Sequence, residues 1–243
     1  MIMVGDFELR SALAAAVGSG APDRAWGFVE RFAARWARPL GPGDGSDESE
    51  LLAVEERLEI GLPAAVRDAY LLFGRRDDLV RGQDRLVRPA HLDTDETGGK
   101  LVFRVEHGYV VEWGVPLGEG DDPPVLFRPT DEEEWSPFLD RFSLACVEMV
   151  LSECVLAPGA PGDNRQLDPV TLAALADAFP PLPLPRYPVW AAPDGPPVRW
   201  FGGDEVILRA DGEDWMWARA RDEAVLESVR AALPGVWLVG SAP

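Results

Sequence analysis

The sequence predicts an α+β fold: helices packed on a mainly antiparallel sheet, with an α+β extension towards the C-terminal end. Three observations carry this. Apolar residues recur at helical spacing in short segments of the first eighty positions. Runs rich in β-branched and aromatic residues, parted by Gly and Pro, follow between 101 and 128. After residue 166 the signals of helix, hairpin and helix come again.

The elements can be justified in order. Residues 6–17 and 22–38 read as two helices, and Trp26, Val29, Ala33 and Trp36 give the second an apolar face. GPGDGSDES (41–49) reads as a flexible, solvated acidic loop whose Asp47 and Ser49 can cap the next helix. Leu51, Val54 and Leu58 form the apolar stripe of that helix, and Gly61 is expected to end it in the left-handed conformation. Pro63 suits the first turn of a second helix, with Val66, Ala69, Tyr70 and Phe73 on its apolar face and Gly74 as its stop. Strands are expected at 101–106, 109–115 and 124–128, the first two joined by a turn at His107-Gly108. Ser136-Pro137 is expected to open a long helix reaching Leu156, with Asp131, Glu132, Glu133 and Glu134 just ahead of its positive end. Beyond a Pro/Gly-rich loop at 157–166 come a helix near 169–178, strands at 197–201, 205–210 and 214–219, a helix at 222–232 and a last strand at 236–239. The division is a helical lead-in (1–45), a core (46–156) and an extension (166–243) whose strands could continue the first sheet, all in one assembly.

Composition narrows the function. The chain has 243 residues, 47% of them hydrophobic, with nine Trp and ten Phe, so it can bury a sizeable core. Its formal charge of −19 opposes binding to nucleic acid or anionic membrane and favours basic proteins. Asp6 and Glu8 stand where a signal peptide would be positive, and the 137–156 segment carries too many charges to span a membrane, so a cytoplasmic location is expected. Cys146 and Cys154, eight residues apart on one helix, would lie about 12 Å apart, too far for a disulfide.

Catalytic vocabulary is sparse. His91 and His107 are the only histidines, and neither has the spacing of a zinc site or a Cys–His pair. There is no GxSxG, P-loop or GxGxxG pattern. Gly202 to Val206 reads GGDEV, close to the GGDEF signature of diguanylate cyclases, but Gly-Gly between two apolar runs is also what a tight hairpin requires. No catalytic residue, metal ligand or cofactor is expected.

The pattern L-x-x-x-E-x-x-L-x-x-x-LP ending at Leu62-Pro63, followed by Ala69-Tyr70-Leu71-Leu72-Phe73-Gly74, resembles the SUKH superfamily (Smi/Knr type). YVVEWGV, DDPPVLFRP and FLDRFSLACVEMVLSE resemble an actinobacterial-style branch of it. The resemblance is clearest over 47–156; Gly74-Arg75-Arg76 stands where many members have Asn-Gly-Gly. It implies a single SUKH-like α+β domain without enzymatic activity, and a role as an immunity protein that neutralises a polymorphic toxin; the −19 charge fits a basic toxin domain. A regulatory or scaffold protein binding a housekeeping partner is the alternative, and a carboxylate-dependent enzyme a third. The expected partner surface is Asp131, Glu132, Glu133 and Glu134 with an adjacent sheet edge bearing Glu112 and Trp113.

Overall fold

The computed structural model describes residues 7–157 and 161–238. In chain order the helices are α1 (Leu9–Gly18), α2 (Pro22–Trp36), α3 (Glu48–Leu58), α4 (Ala64–Phe73), α5 (Asp77–Val80), α6 (Phe142–Leu156), α7 (Pro169–Ala178) and α8 (Glu223–Ala232). The strands are β1 (Asp84–Leu86), β2 (Asp93–Thr94), β3 (Lys100–Glu106), β4 (Val111–Pro116), β5 (Val125–Pro129), β6 (Ser136–Leu139), β7 (Gly162–Gln166), β8 (Arg199–Gly202), β9 (Val206–Asp211) and β10 (Trp215–Ala220). The fold is α+β with antiparallel sheets. It divides into two compact units, Gly20–Glu153 and the described parts of Met1–Ser19 with Cys154–Pro243.

In the first unit the sheet order is β1-β3-β4-β5-β6, with β2 also on β3. A bulge between Val102 and Arg104 of β3 turns two consecutive side chains, Phe103 and Arg104, inward. Phe103 meets Phe142 of α6 edge-on at 4.8 Å. Arg104, over the ring of Trp113, donates to Glu148 of α6 at 2.7 Å and to Asp84 of β1 at 2.5 Å. Glu153 accepts the backbone N–H groups of Gly82, Gln83 and Asp84, so α6 holds the start of β1 by side chain as well as by packing. Burial pushes the Glu153 carboxyl up against those bonds.

The α3–α4 hairpin forms as predicted, and its joint corrects one detail. Glu59, at φ 55°, takes the left-handed position expected of Gly61. Glu55 fixes the joint: its carboxylate accepts the Leu62 N–H at 2.8 Å and pairs with Arg67 of α4. Pro63 is the N-cap of α4. Asp47 and Glu50 make a capping box at the start of α3.

The 41–49 loop is not merely solvated. Asp44 is 6% exposed and binds Arg38, at 2.6 and 3.0 Å, and the fully buried Arg76. Arg76 also forks onto Asp78 at 2.7 and 2.8 Å and reaches the Arg38 carbonyl at 2.9 Å. A side chain at Gly45 would overlap the Leu71 carbonyl, and one at Gly74 would come within 2.6 Å of the Tyr70 carbonyl. Arg75 and Arg76 therefore have structural work: Arg75 binds Asp47 and Glu50, and Arg76 neutralises the buried loop.

The long helix begins later than expected. Ser136–Leu139 is β6, and α6 starts at Phe142. The anion at its first turn is Asp122, which accepts the Ser143 N–H at 2.8 Å and hydroxyl at 2.6 Å. Cys146 and Cys154 are free and buried.

In the second unit the strands do not extend the first sheet; they form their own, in the order β7-β10-β9-β8. Leu175 of α7 and Leu226 and Val229 of α8 pack with Leu208, Met216 and Trp237 in its core. Arg165 of β7 donates to the Leu233 carbonyl at 2.7 Å and lies 5.5 Å from the Trp237 ring. The expected last strand is absent over 236–238, where Trp237 is tucked into that core; Val239 lies outside the described residues. The GGDEV segment is the β8–β9 turn. Gly202 has φ 119°, the Gly203 N–H meets the Val206 carbonyl at 2.9 Å, and Asp204 accepts the Leu9 N–H at the start of α1 at 2.6 Å.

Candidate binding surface

Alternation along β4 separates the two residues expected to act together. Trp113 is 2% exposed, packed against Phe138 and beneath Arg104, so it is core and not an interface anchor. Glu112 lies on the opposite face, bound to Arg128 at 2.7 Å. β4 is an inner strand between β3 and β5, so the expected sheet edge is not there. Arg128 also binds Glu96 at 2.6 Å and sits 4.8 Å from the Trp135 ring; these bonds hold the Glu96 carboxyl at about 2. Trp135 in turn covers Gly114, where a Cβ would come within 2.9 Å of its ring.

Asp131, Glu132, Glu133 and Glu134 form the β5–β6 turn rather than a lead into a helix, and all four are exposed. None of their carboxylates has a hydrogen bond or ion pair among the described residues. This contrasts with Asp44, Glu55, Asp84 and Glu112, each matched to an arginine. The turn starts at Thr130, whose N–H meets the Val110 carbonyl at 3.0 Å and whose hydroxyl meets the Tyr109 carbonyl at 2.9 Å. The acidic turn is thereby fastened to the β3–β4 turn, where Tyr109 and Val110 are 59% and 47% exposed.

Tyr109 is the residue that sequence reasoning missed. It has φ 59°, a conformation uncommon for a bulky side chain and costing about 1 kcal/mol. The turn expected at His107-Gly108 runs on to Val110, and the available signal was that Tyr-Val directly after a glycine need not yet be strand.

Beside Tyr109 a cleft of about 320 Å³ opens against β1, β2, β3 and β4. Arg81, Arg85, Arg88 and His91 give it a basic wall, and Asp93 and Glu112 are its acids. His107 lies outside the lining, where its Nδ1 is 3.2 Å from Arg85. Among the described residues no group of three or more His, Cys, Asp or Glu could hold a metal ion, and no helix is long and apolar enough to cross a membrane.

No family model matches the chain, and no curated protein matches it. What fold and surface define is an α+β protein whose first unit exposes an acidic turn, two apolar side chains and a basic cleft side by side.

Proposed function

We propose that this chain is a cytoplasmic, non-enzymatic protein-binding module, and that, in line with its SUKH-like motifs, it acts as an immunity protein that occupies a basic toxin domain. The observation that supports this most is the run Asp131–Glu134: four carboxylates, exposed and without a cation partner among the described residues, in a turn tied to the exposed Tyr109 and Val110. Unpaired charge of one sign beside an aromatic residue suits a partner of opposite charge, with the acids steering approach and Tyr109 supplying buried area once bound. The −19 charge of the whole chain points the same way and disfavours nucleic acid and membrane as partners. Glu112 belongs to this surface only through its pair with Arg128.

The test is capture from the native cell by wild-type protein and by a variant with Asp131→Asn, Glu132→Gln, Glu133→Gln and Glu134→Gln. The expected result is a basic protein held by the first and lost from the second, whose toxicity on expression is relieved by the wild-type chain. Capture of a non-toxic housekeeping protein through the same turn would shift the reading to a regulatory or scaffold module. Identical captures by both proteins would remove the turn from the interface.

A further inference from the structure

The geometry points to a small-molecule site in the cleft beside Tyr109, taking an organic oxyanion that carries a planar ring, of the size and chemistry of a nucleoside monophosphate. Three observations meet there. The first is charge. Arg81 and Arg88 share one carboxylate, Asp77, and Glu112 is held by Arg128. Among the described residues Arg85 has no carboxylate partner: it meets the Tyr109 hydroxyl and His107 Nδ1, both at 3.2 Å. In a chain with 42 acidic and 23 basic side chains, a cleft whose lining sets three guanidiniums against Asp93 and a Glu112 already paired with Arg128 is a local reversal of sign. A guanidinium carries five N–H donors, so these two contacts leave Arg85 donors for a phosphate or carboxylate.

The second is the ring. Tyr109 is held in a left-handed conformation that glycine or asparagine would adopt more cheaply, with its side chain more than half exposed and Arg85 5.6 Å from the ring centre. A phenol kept there presents a stacking surface next to the Arg85 guanidinium. The third is size, since about 320 Å³ is at the lower end of small-ligand sites, too small for a folded domain and adequate for one ring and one anionic group. Polymeric nucleic acid is disfavoured by the −19 field; a single small anion is governed by the local wall.

Calorimetric titration of the full chain with adenosine monophosphate, adenosine and inorganic phosphate tests this. The expected order is adenosine monophosphate tightest, with phosphate alone and adenosine alone each at least about tenfold weaker. Arg85→Gln should weaken adenosine monophosphate at least about tenfold. Tyr109→Gly, which relieves the backbone, should weaken adenosine monophosphate and leave phosphate unchanged. The four-amide variant of Asp131–Glu134 should bind as wild type, which separates this site from the acidic turn. No binding of adenosine monophosphate, adenosine binding as tightly as its phosphate, or an Arg85→Gln variant that folds and binds normally would overturn the proposal.

Discussion

On strand β1 two adjacent charges, Asp84 and Arg85, leave the backbone on opposite faces of the sheet, and their surroundings differ in kind. Asp84 enters a closed network with Arg104, and Glu148 and Glu153 complete it from α6. Arg85 faces the cleft, where its side-chain partners among the described residues are a phenol and an imidazole. The same contrast separates Asp44, locked between Arg38 and Arg76, from Asp131–Glu134, which meet no cation among the described residues. Charge that is matched inside the unit holds the fold, and charge left unmatched at its surface is available to something else. A buried ion pair broken on one side costs several kcal/mol, whereas an exposed charge contributes tenths.

The largest expected effect follows directly. Arg104→Ala strands Asp84 and Glu148 in the interior and should cost about 3–5 kcal/mol, while Arg85→Ala should stay within about 0.5 kcal/mol. Urea denaturation of both reads the difference, and comparable losses would break the comparison.

Asp44→Asn should cost about 2–4 kcal/mol at neutral pH, because it removes a partner from buried Arg76. Bonds from Arg38 hold the Asp44 carboxyl at about 2, below its usual value near 4 in an unfolded chain. Its contribution is therefore present above about pH 4 and lost as pH falls through about 2. Melts at descending pH should show the variant and wild type converging over that window; a constant gap would assign the loss to packing instead.

Two glycines sharpen the same point at smaller scale. Gly74→Ala should cost about 1–3 kcal/mol, since its Cβ would press on the Tyr70 carbonyl. Gly61→Ala should cost no more than about 0.5 kcal/mol, since it has open space and no left-handed φ. Opposite in sign, Glu59→Gly and Tyr109→Gly should each gain about 0.5–1 kcal/mol by relieving a left-handed backbone. Thermal melts measure the gain, and only the second variant should lose partner binding.

What could be read from the sequence is what depends on local periodicity. The α3–α4 hairpin, β3, β4, β5 and the β8–β10 meander follow from spacing and turn residues within about ten positions. What could not be read depends on contacts far along the chain. Asp122 serves α6 from across a loop, so Ser136-Pro137 looked like the cap and β6 like the helix. Asp44 looked solvated because its partner Arg76 lies 32 residues away. The surface was half legible: four consecutive acids announce themselves, but the choice of Trp113 over Tyr109 turned on a strand that starts at Val111, two residues later than its composition suggested.

The central claim, that unmatched charge at the β5–β6 turn is a contact surface, is tested most directly by association kinetics. The protein captured by the wild-type chain is presented to wild type and to the four-amide variant of Asp131–Glu134, at low and at high salt. The variant should melt within tenths of a kcal/mol of wild type, associate more slowly, and lose most of the salt dependence, because screening acts on the steering charges. Equal association rates with equal salt dependence would contradict the account and leave the acids as solvated turn residues.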